Sequence, residues 1–282
     1  MQLTARNLIL NTLLAADGHA QTVREAIASC ALFGIRENSV RVALVRLAAD
    51  KLIETQGRGT YRLGQRAMAL ARDVATWRTA EARVRAWNGG WITVHVGALG
   101  RSNRVALRAR HRALALLGLR ELDRGLYVRP DNLLGGVGAV RERLHKLGLD
   151  DAAAVFIATG FDPEREARAR ALWDGTALTQ AYRSTARKLE RWQARAGSLA
   201  PEVAARDAFL LGNDAIRLLV FDPLLPEPLV DVSERRAFAA AVLRHEQAGR
   251  DLWRRLRLTP GSGDIAPPHS FDFEPLAALT RS

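Results

Sequence analysis

Residues 22–63 read TVREAIASCALFGIRENSVRVALVRLAADKLIETQGRGTYRL, and the fold is decided there. Thr22-Val23-Arg24-Glu25 has the form of a capping box, in which the threonine hydroxyl accepts from a free amide and the glutamate reaches back. The helix it opens carries Ala26, Ile27, Cys30 and Ala31 at spacings that bury one face. Phe33-Gly34-Ile35 breaks it, glycine permitting the sharp turn. A second helix runs to about Lys51, with Val40, Ala43, Leu44, Leu47 and the stem of Lys51 facing a core. Its opposite side presents Asn38, Val42, Val45 and Ala49, flanked by Ser39, Arg41 and Arg46. Next comes a hairpin, Ile53-Glu54-Thr55-Gln56, Gly57-Arg58-Gly59, Thr60-Tyr61-Arg62-Leu63, in which Ile53, Thr55, Tyr61 and Leu63 alternate inward.

This is the pattern of a helix-turn-helix followed by a wing. Small apolar groups lie against thymine methyls, an amide or arginine fork reads purine edges, and flanking arginines hold phosphates. Arg58, at a glycine-flanked tip, can follow the backbone of a duplex. The set expected to contact DNA is Asn38, Ser39, Arg41, Val42, Arg46, Arg58, Thr60 and Arg62. The plain alternative is a buried helix pair, an ordinary β-turn and solvated arginines; the wing and its arginines favour DNA.

The chain of 282 residues is long enough for two or three domains, and its 48% hydrophobic content can supply a sizeable core. Lys and Arg total 42 against 30 Asp and Glu, a formal charge of +12, which permits polyanion partners. Cys30 is the single cysteine, so no intrachain disulfide or cysteine zinc site can form, and a cytoplasmic setting is the simplest expectation. The N-terminus lacks the layout of a signal peptide, and no apolar run is long enough to span a bilayer.

Residues 4–16 read as a first helix with Leu8, Ile9, Leu13 and Leu14 on its apolar side, ended by Asp17-Gly18. Residues 65–86 read as an arginine-rich helical connector, and Asn88-Gly89-Gly90 marks a boundary. Then follow a strand (91–96), a helix (103–117), a hairpin (Glu121-Leu122 and Gly125 to Val128, ended by Pro130), a helix (132–147) and a strand (153–158). Strand, helix, strand, strand, helix, strand is the split βαβ, ferredoxin-like order. Beyond Pro163 the pattern is helical: 164–172, 178–194, from Pro201 to about 220, and 233 to about 256. Asp222-Pro223-Leu224-Leu225-Pro226-Glu227-Pro228 forms an extended turn. The expected class is α+β, with a winged-helix domain (1–64), a helical connector (65–90), a ferredoxin-like domain (91–162), a C-terminal helical domain (163–258) and a partly mobile tail (259–282) in which Phe271 and Phe273 could dock.

Several stretches together resemble the PaaX-type repressors of phenylacetic acid catabolism. Phe33-Gly34-Ile35, Val40-Arg41 and Val45-Arg46-Leu47 look like that family's recognition-helix segment, and Gly57-Arg58 with Tyr61-Arg62-Leu63 like its wing. Trp87-Asn88-Gly89-Gly90-Trp91 is similar to its Trp-Asp-Gly-x-Trp entry to the central domain. Gly118-Leu119 with Gly125 to Pro130 looks like its central hairpin, and Asp222-Pro223 with Leu225-Pro226 like its late proline turn. The likeness spans residues 5–256, with two departures: Arg36 stands where the family often has a capping asparagine, so that Asn38 could cap instead, and there is no tryptophan around 230–233. The resemblance implies a homodimer that binds an operator in double-stranded DNA, represses a catabolic operon and leaves when an aryl-CoA such as phenylacetyl-CoA, or a related thioester, binds.

The effector would need basic groups and an apolar slot. Arg183, Arg187, Trp192, Arg195, Arg217 and Trp253 are of that type, but nothing in the sequence assigns it a site. No cofactor is expected. A rival reading is a metal-dependent nuclease or RNA-processing enzyme built on the ferredoxin-like domain, whose first strand would end in a carboxylate. Here that place reads Val94-His95-Val96-Gly97-Ala98. A third is an adaptor whose winged helix serves protein contacts. The six histidines show no paired metal spacing, His245-Glu246 reads as a helix-surface pair, and Gly135-Gly136-Val137-Gly138 reads as a flexible turn in preference to a phosphate cradle. Ser184 and Ser198 have no base placed by sequence, so no catalytic residue is assigned.

Overall fold

The computed structural model describes residues 4–15, 19–68, 75–97, 99–100 and 102–258. It is a mixed α and β structure with two antiparallel sheets. Two compact units share the chain: one holds Met1–Thr76, Leu189–Asp214 and Leu243–Ser282, the other Trp77–Lys188 and Ala215–Val242. Asp17-Gly18, Leu70, Ala71, Val74, Ala98 and the tail from residue 259 lie outside the described residues.

The first unit begins with α1 (Ala5–Ala15), then β1 (Gln21–Thr22), α2 (Val23–Ala31), α3 (Glu37–Ala49), β2 (Ile53–Gly57) and β3 (Thr60–Leu63). The capping box is formed: Thr22 Oγ1 accepts from Glu25 N at 3.2 Å, and Glu25 Oε2 accepts from Thr22 N at 2.7 Å. Leu8, Ile9 and Leu13 of α1 meet Val40, Leu44 and Leu47 of α3 in one core with Cys30 and Ile53. Burial pushes the Cys30 thiol up to about 12.

The structure departs from the sequence pattern at several points here. Ala31 is exposed and Ser29 is buried in its place, at the end of α2. The helix α3 stops at Ala49, and Lys51 lies beyond it at φ 56°, exposed, with its stem outside the core. Thr55 is also exposed, because the bulge between Thr55 and Gly57 ends the inward alternation at the hairpin tip. The two-residue strand β1 was not expected; it pairs with β3 and makes the sheet order β1-β3-β2.

In the second unit, residues of the connector form 3-10 turns at Thr76–Thr79 and Glu81–Arg83, not a helix continuing to residue 86. Val84 leaves helical geometry to bridge Leu133, and Arg85 N donates to Asn132 O at 2.8 Å. The Trp87-Asn88-Gly89-Gly90-Trp91 stretch is a tight turn: Asn88 Oδ1 accepts from Gly90 N, Gly89 sits at φ 88°, and Trp87 Nε1 donates to Gly90 O.

Next come β4 (Trp91–His95), α4 (Arg104–Leu116), β5 (Arg120–Asp123), β6 (Leu126–Pro130), α5 (Gly136–Lys146) and β7 (Ala154–Ala158), in a sheet ordered β5-β6-β4-β7. Ile92, Val94 and Val155 on one sheet face pack against Ala113 and Leu114 of α4 and Val140 and Leu144 of α5. The helices α6 (Pro163–Arg170), α7 (Gly175–Arg195), α8 (Pro201–Val220) and α9 (Val232–Leu258) follow. None of the described helices is long and apolar enough to cross a membrane.

The proline turn of the second unit is fixed by buried polar side chains distant in sequence. Arg129 Nη2 donates to Pro223 O at 3.3 Å and to Asn132 Oδ1 at 3.0 Å, while Asn132 Nδ2 donates to Leu224 O at 2.6 Å. Arg235 donates to Leu225 O and to Glu81 Oε1. These donors, removed from water, find oxygen acceptors, which is the condition for burying them, while Asp222 Oδ2 is buried without a hydrogen-bond partner among the described residues. Desolvation still lowers Arg129 to about 10, against the opposing pull of Asp131.

Candidate nucleic-acid interface

The side of α3 turned away from the core is open. Val40, Ala43, Leu44 and Leu47 are buried, whereas Asn38, Ser39, Arg41, Val42, Val45, Arg46 and Ala49 are all exposed. Val45 retains 69% of its accessible surface, so apolar area stands open here without a partner among the described residues. Arg36 occupies the N-cap position in extended geometry with no side-chain cap bond, and Asn38 is the second residue inside the helix. Asn38 therefore does not cap α3, which leaves its amide unspent.

A groove of about 470 Å³ opens beside this face, lined by Thr4, Ala5, Arg6, Asn38, Ser39, Val42, Ala43 and Arg46. Sequence reasoning missed the α1 wall of it. Thr4 Oγ1 accepts from Asn7 N at 3.3 Å, and Arg6 pairs with Asp50 at 2.7 Å, which ties the start of α1 to the end of α3. The separation of Arg6 from Asp50 in sequence hides that pairing.

The hairpin supplies the rest of the site. Gly57 (φ 152°) and Gly59 (φ 70°) flank an exposed Arg58, and Gly59 O accepts from Val23 N at 2.9 Å, so the tip is anchored to the start of α2. Thr60 is half-buried opposite Thr22. Arg62 projects outward and pairs with Glu54 at 3.4 Å.

The cations differ in readiness. Arg41 lies 2.7 Å from Glu37 one turn earlier; pairs this exposed contribute only about 0.2–1 kcal/mol, so an incoming phosphate can displace the acid. Arg46 and Arg58 have no carboxylate partner among the described residues. All eight residues expected from the sequence lie in the same unit, seven exposed and Thr60 half-buried.

The basic and aromatic residues of the helical half divide between the two units. Arg183, Arg187 and Arg217 belong to one unit, and Trp192, Arg195 and Trp253 to the other. Arg183 pairs with Glu234 at 2.8 Å, Arg195 lies 3.6 Å from Asp207, and Trp192 is buried with Nε1 on Ala204 O. His245 is not at the surface: it is 2% exposed, its Nε2 is 2.9 Å from Ala208 O, and its ring meets Trp192 edge-on. Desolvation lowers its pKa, against the bond to Ala208.

Gly135 and Gly136 both have left-handed backbone, and the Asp131 carboxylate lies about where a side chain on Gly136 would reach. Arg85 Nη2 lies as near and pairs with that carboxylate at 2.6 Å. Among the described residues, no group of three or more His, Cys, Asp or Glu side chains could hold a metal ion.

Comparison with known proteins adds two findings. The family model described as the PaaX-like protein C-terminal domain matches residues 173–255. A solved structure, the uncharacterized protein Rv0674 from Mycobacterium tuberculosis, is similar with a TM-score of 0.56 and 26% identity, over 88% of this chain and 99% of that one. A search of curated proteins finds no match. Residues 173–255 thus carry the likeness to the C-terminal domain of PaaX-like proteins.

Proposed function

We propose that the chain is a DNA-binding transcriptional regulator, a repressor of a catabolic operon. In this reading α2 and α3 are a helix-turn-helix, and β2 and β3 are its wing. The family supports it, because PaaX-type proteins are regulators that bind DNA and not enzymes. The observation that carries it is the outer face of α3, where Asn38, Ser39, Val42 and Arg46 stand exposed along one groove, with Arg41 on the flank. Asn38 and Arg41 offer the bidentate geometry that reads adenine or guanine edges, Val42 and Val45 suit thymine methyls, and Arg46, Arg58 and Arg62 suit phosphates.

The second unit's sheet, taken in chain order, runs 4-1-3-2, which supports the ferredoxin-like reading of residues 91–162. A cytoplasmic homodimer would set two α3 helices about 34 Å apart on the duplex. An aryl-CoA or other acyl-CoA, phenylacetyl-CoA among them, would favour a dimer that no longer matches the half-sites.

The test is binding of operator duplex selected from genomic fragments. Arg58→Ala should weaken all duplexes alike and reduce the salt slope by about one counterion. Asn38→Ala or Arg41→Ala should relax base preference, at a cost of about 1–3 kcal/mol where the contact is bidentate. Unchanged operator binding in all three would refute the assignment. Titration of acyl-CoAs into the complex tests the release step.

A further inference from the structure

We infer that α4 in the second unit is an additional nucleic-acid-binding surface, one that tracks a strand's phosphates without reading sequence. The α4 sequence, RVALRARHRALAL, holds four arginines and a histidine and no carboxylate. Ala113 and Leu114 turn into the core, while Arg104, Arg108 and His111 stand exposed at spacings of four and three, hence on one side of the helix. Arg110 is on the other side, buried, with Nη2 on Gly100 O.

Composition alone does not explain this face. On α6 the arginines are neutralised: Arg165 and Arg168 by Asp123, and Arg170 by Glu166. Neither Arg104 nor Arg108 has an ion-pair partner among the described residues. Two cations left unmatched within one turn repel each other in the free protein, and a polyanion relieves that repulsion.

The spacing favours a phosphate backbone. Four residues of helix advance about 6 Å. Phosphates of one strand advance about 3.4 Å per nucleotide along the duplex axis, so two flexible arginine side chains so placed can reach two of them. The choice of nucleic acid over another polyanion rests on the DNA-binding reading of α3; the charge and geometry of α4 do not.

The experiment uses the full chain and a fluorescent 40-base-pair duplex of mixed sequence, with anisotropy read across a salt series. In Arg104→Gln/Arg108→Gln, both positions being exposed, the slope of log affinity against log salt should fall by about 1.8, and affinity at 0.1 M salt by roughly 60-fold. Circular dichroism should be unchanged. An unaltered slope in this variant, with a reduced slope in Arg58→Ala, would overturn the α4 surface and leave the α3 assignment standing. The reverse pattern would support α4 and overturn α3. Loss of binding to phosphatidylserine vesicles with duplex binding intact would overturn the choice of nucleic acid.

Discussion

Gly118→Ala tests whether the proline turn is held as rigidly as its hydrogen bonds imply. Gly118 has φ +69°, and a Cβ there would lie 2.8 Å from both Cα and Cβ of Pro223. Two costs add. Left-handed backbone costs an alanine about 1–2 kcal/mol. Forcing a methyl into occupied space costs about 1–3 kcal/mol where the neighbour cannot yield. Pro223 cannot readily yield, because its carbonyl is held by Arg129 and the next one by Asn132. The sum is about 2–5 kcal/mol of lost stability, a large fraction of what a domain possesses. Gly138→Ala is the control: nothing lies within 4 Å of its added methyl and its position is helical, so stability should hold or rise by up to about 1 kcal/mol. Urea unfolding followed by tryptophan fluorescence is the assay, since Trp77, Trp87, Trp91 and Trp173 all belong to the second unit. A Gly118→Ala loss below about 1 kcal/mol, or equal effects from the two variants, would refute a rigid turn.

Two further outcomes follow from buried groups. His245 has its folded pKa depressed by desolvation, so the unfolded chain takes up a proton as pH falls below 6.5 while the native chain does not. Stability due to His245 is therefore present above that pH and lost below it. The stability gap between the wild type and His245→Gln should narrow between pH 7 and 5, and parallel curves would contradict the account. The Cys30 thiol, fully buried and raised to about 12, should resist a disulfide exchange reagent at pH 8 until the protein is unfolded in urea. Rapid labelling of the native protein would show that the first core opens more easily than its packing suggests.

The stretch 22–63 was legible because its signals are local. A capping box, a glycine turn, a 3.6-residue apolar period and a glycine-flanked hairpin each act within a few residues, and they agree. The exposed side of α3 followed from the same period, since burying Val40, Leu44 and Leu47 leaves Asn38, Val42 and Arg46 outside. Chain order also foretold the strands and helices of the second unit, because each strand is a short apolar run between turns. Local rules misplaced Lys51, Thr55 and Ala31, where a helix end, a bulge and a second helix end changed the facing of a single residue.

What only tertiary structure decided is where charged and polar groups go once water is removed. Gln21–Thr22 is too short to show a strand period and becomes one only because β3 offers an edge. Arg6 finds Asp50, Arg129 and Asn132 find the carbonyls of the proline turn more than 90 residues away, and His245 finds the Ala208 carbonyl inside the first unit. A hydrophobic period names the face that is buried, since burial scales with area and needs no particular partner. A buried arginine or amide requires one specific acceptor at hydrogen-bond distance, and the sequence sets no rule for which distant carbonyl that will be.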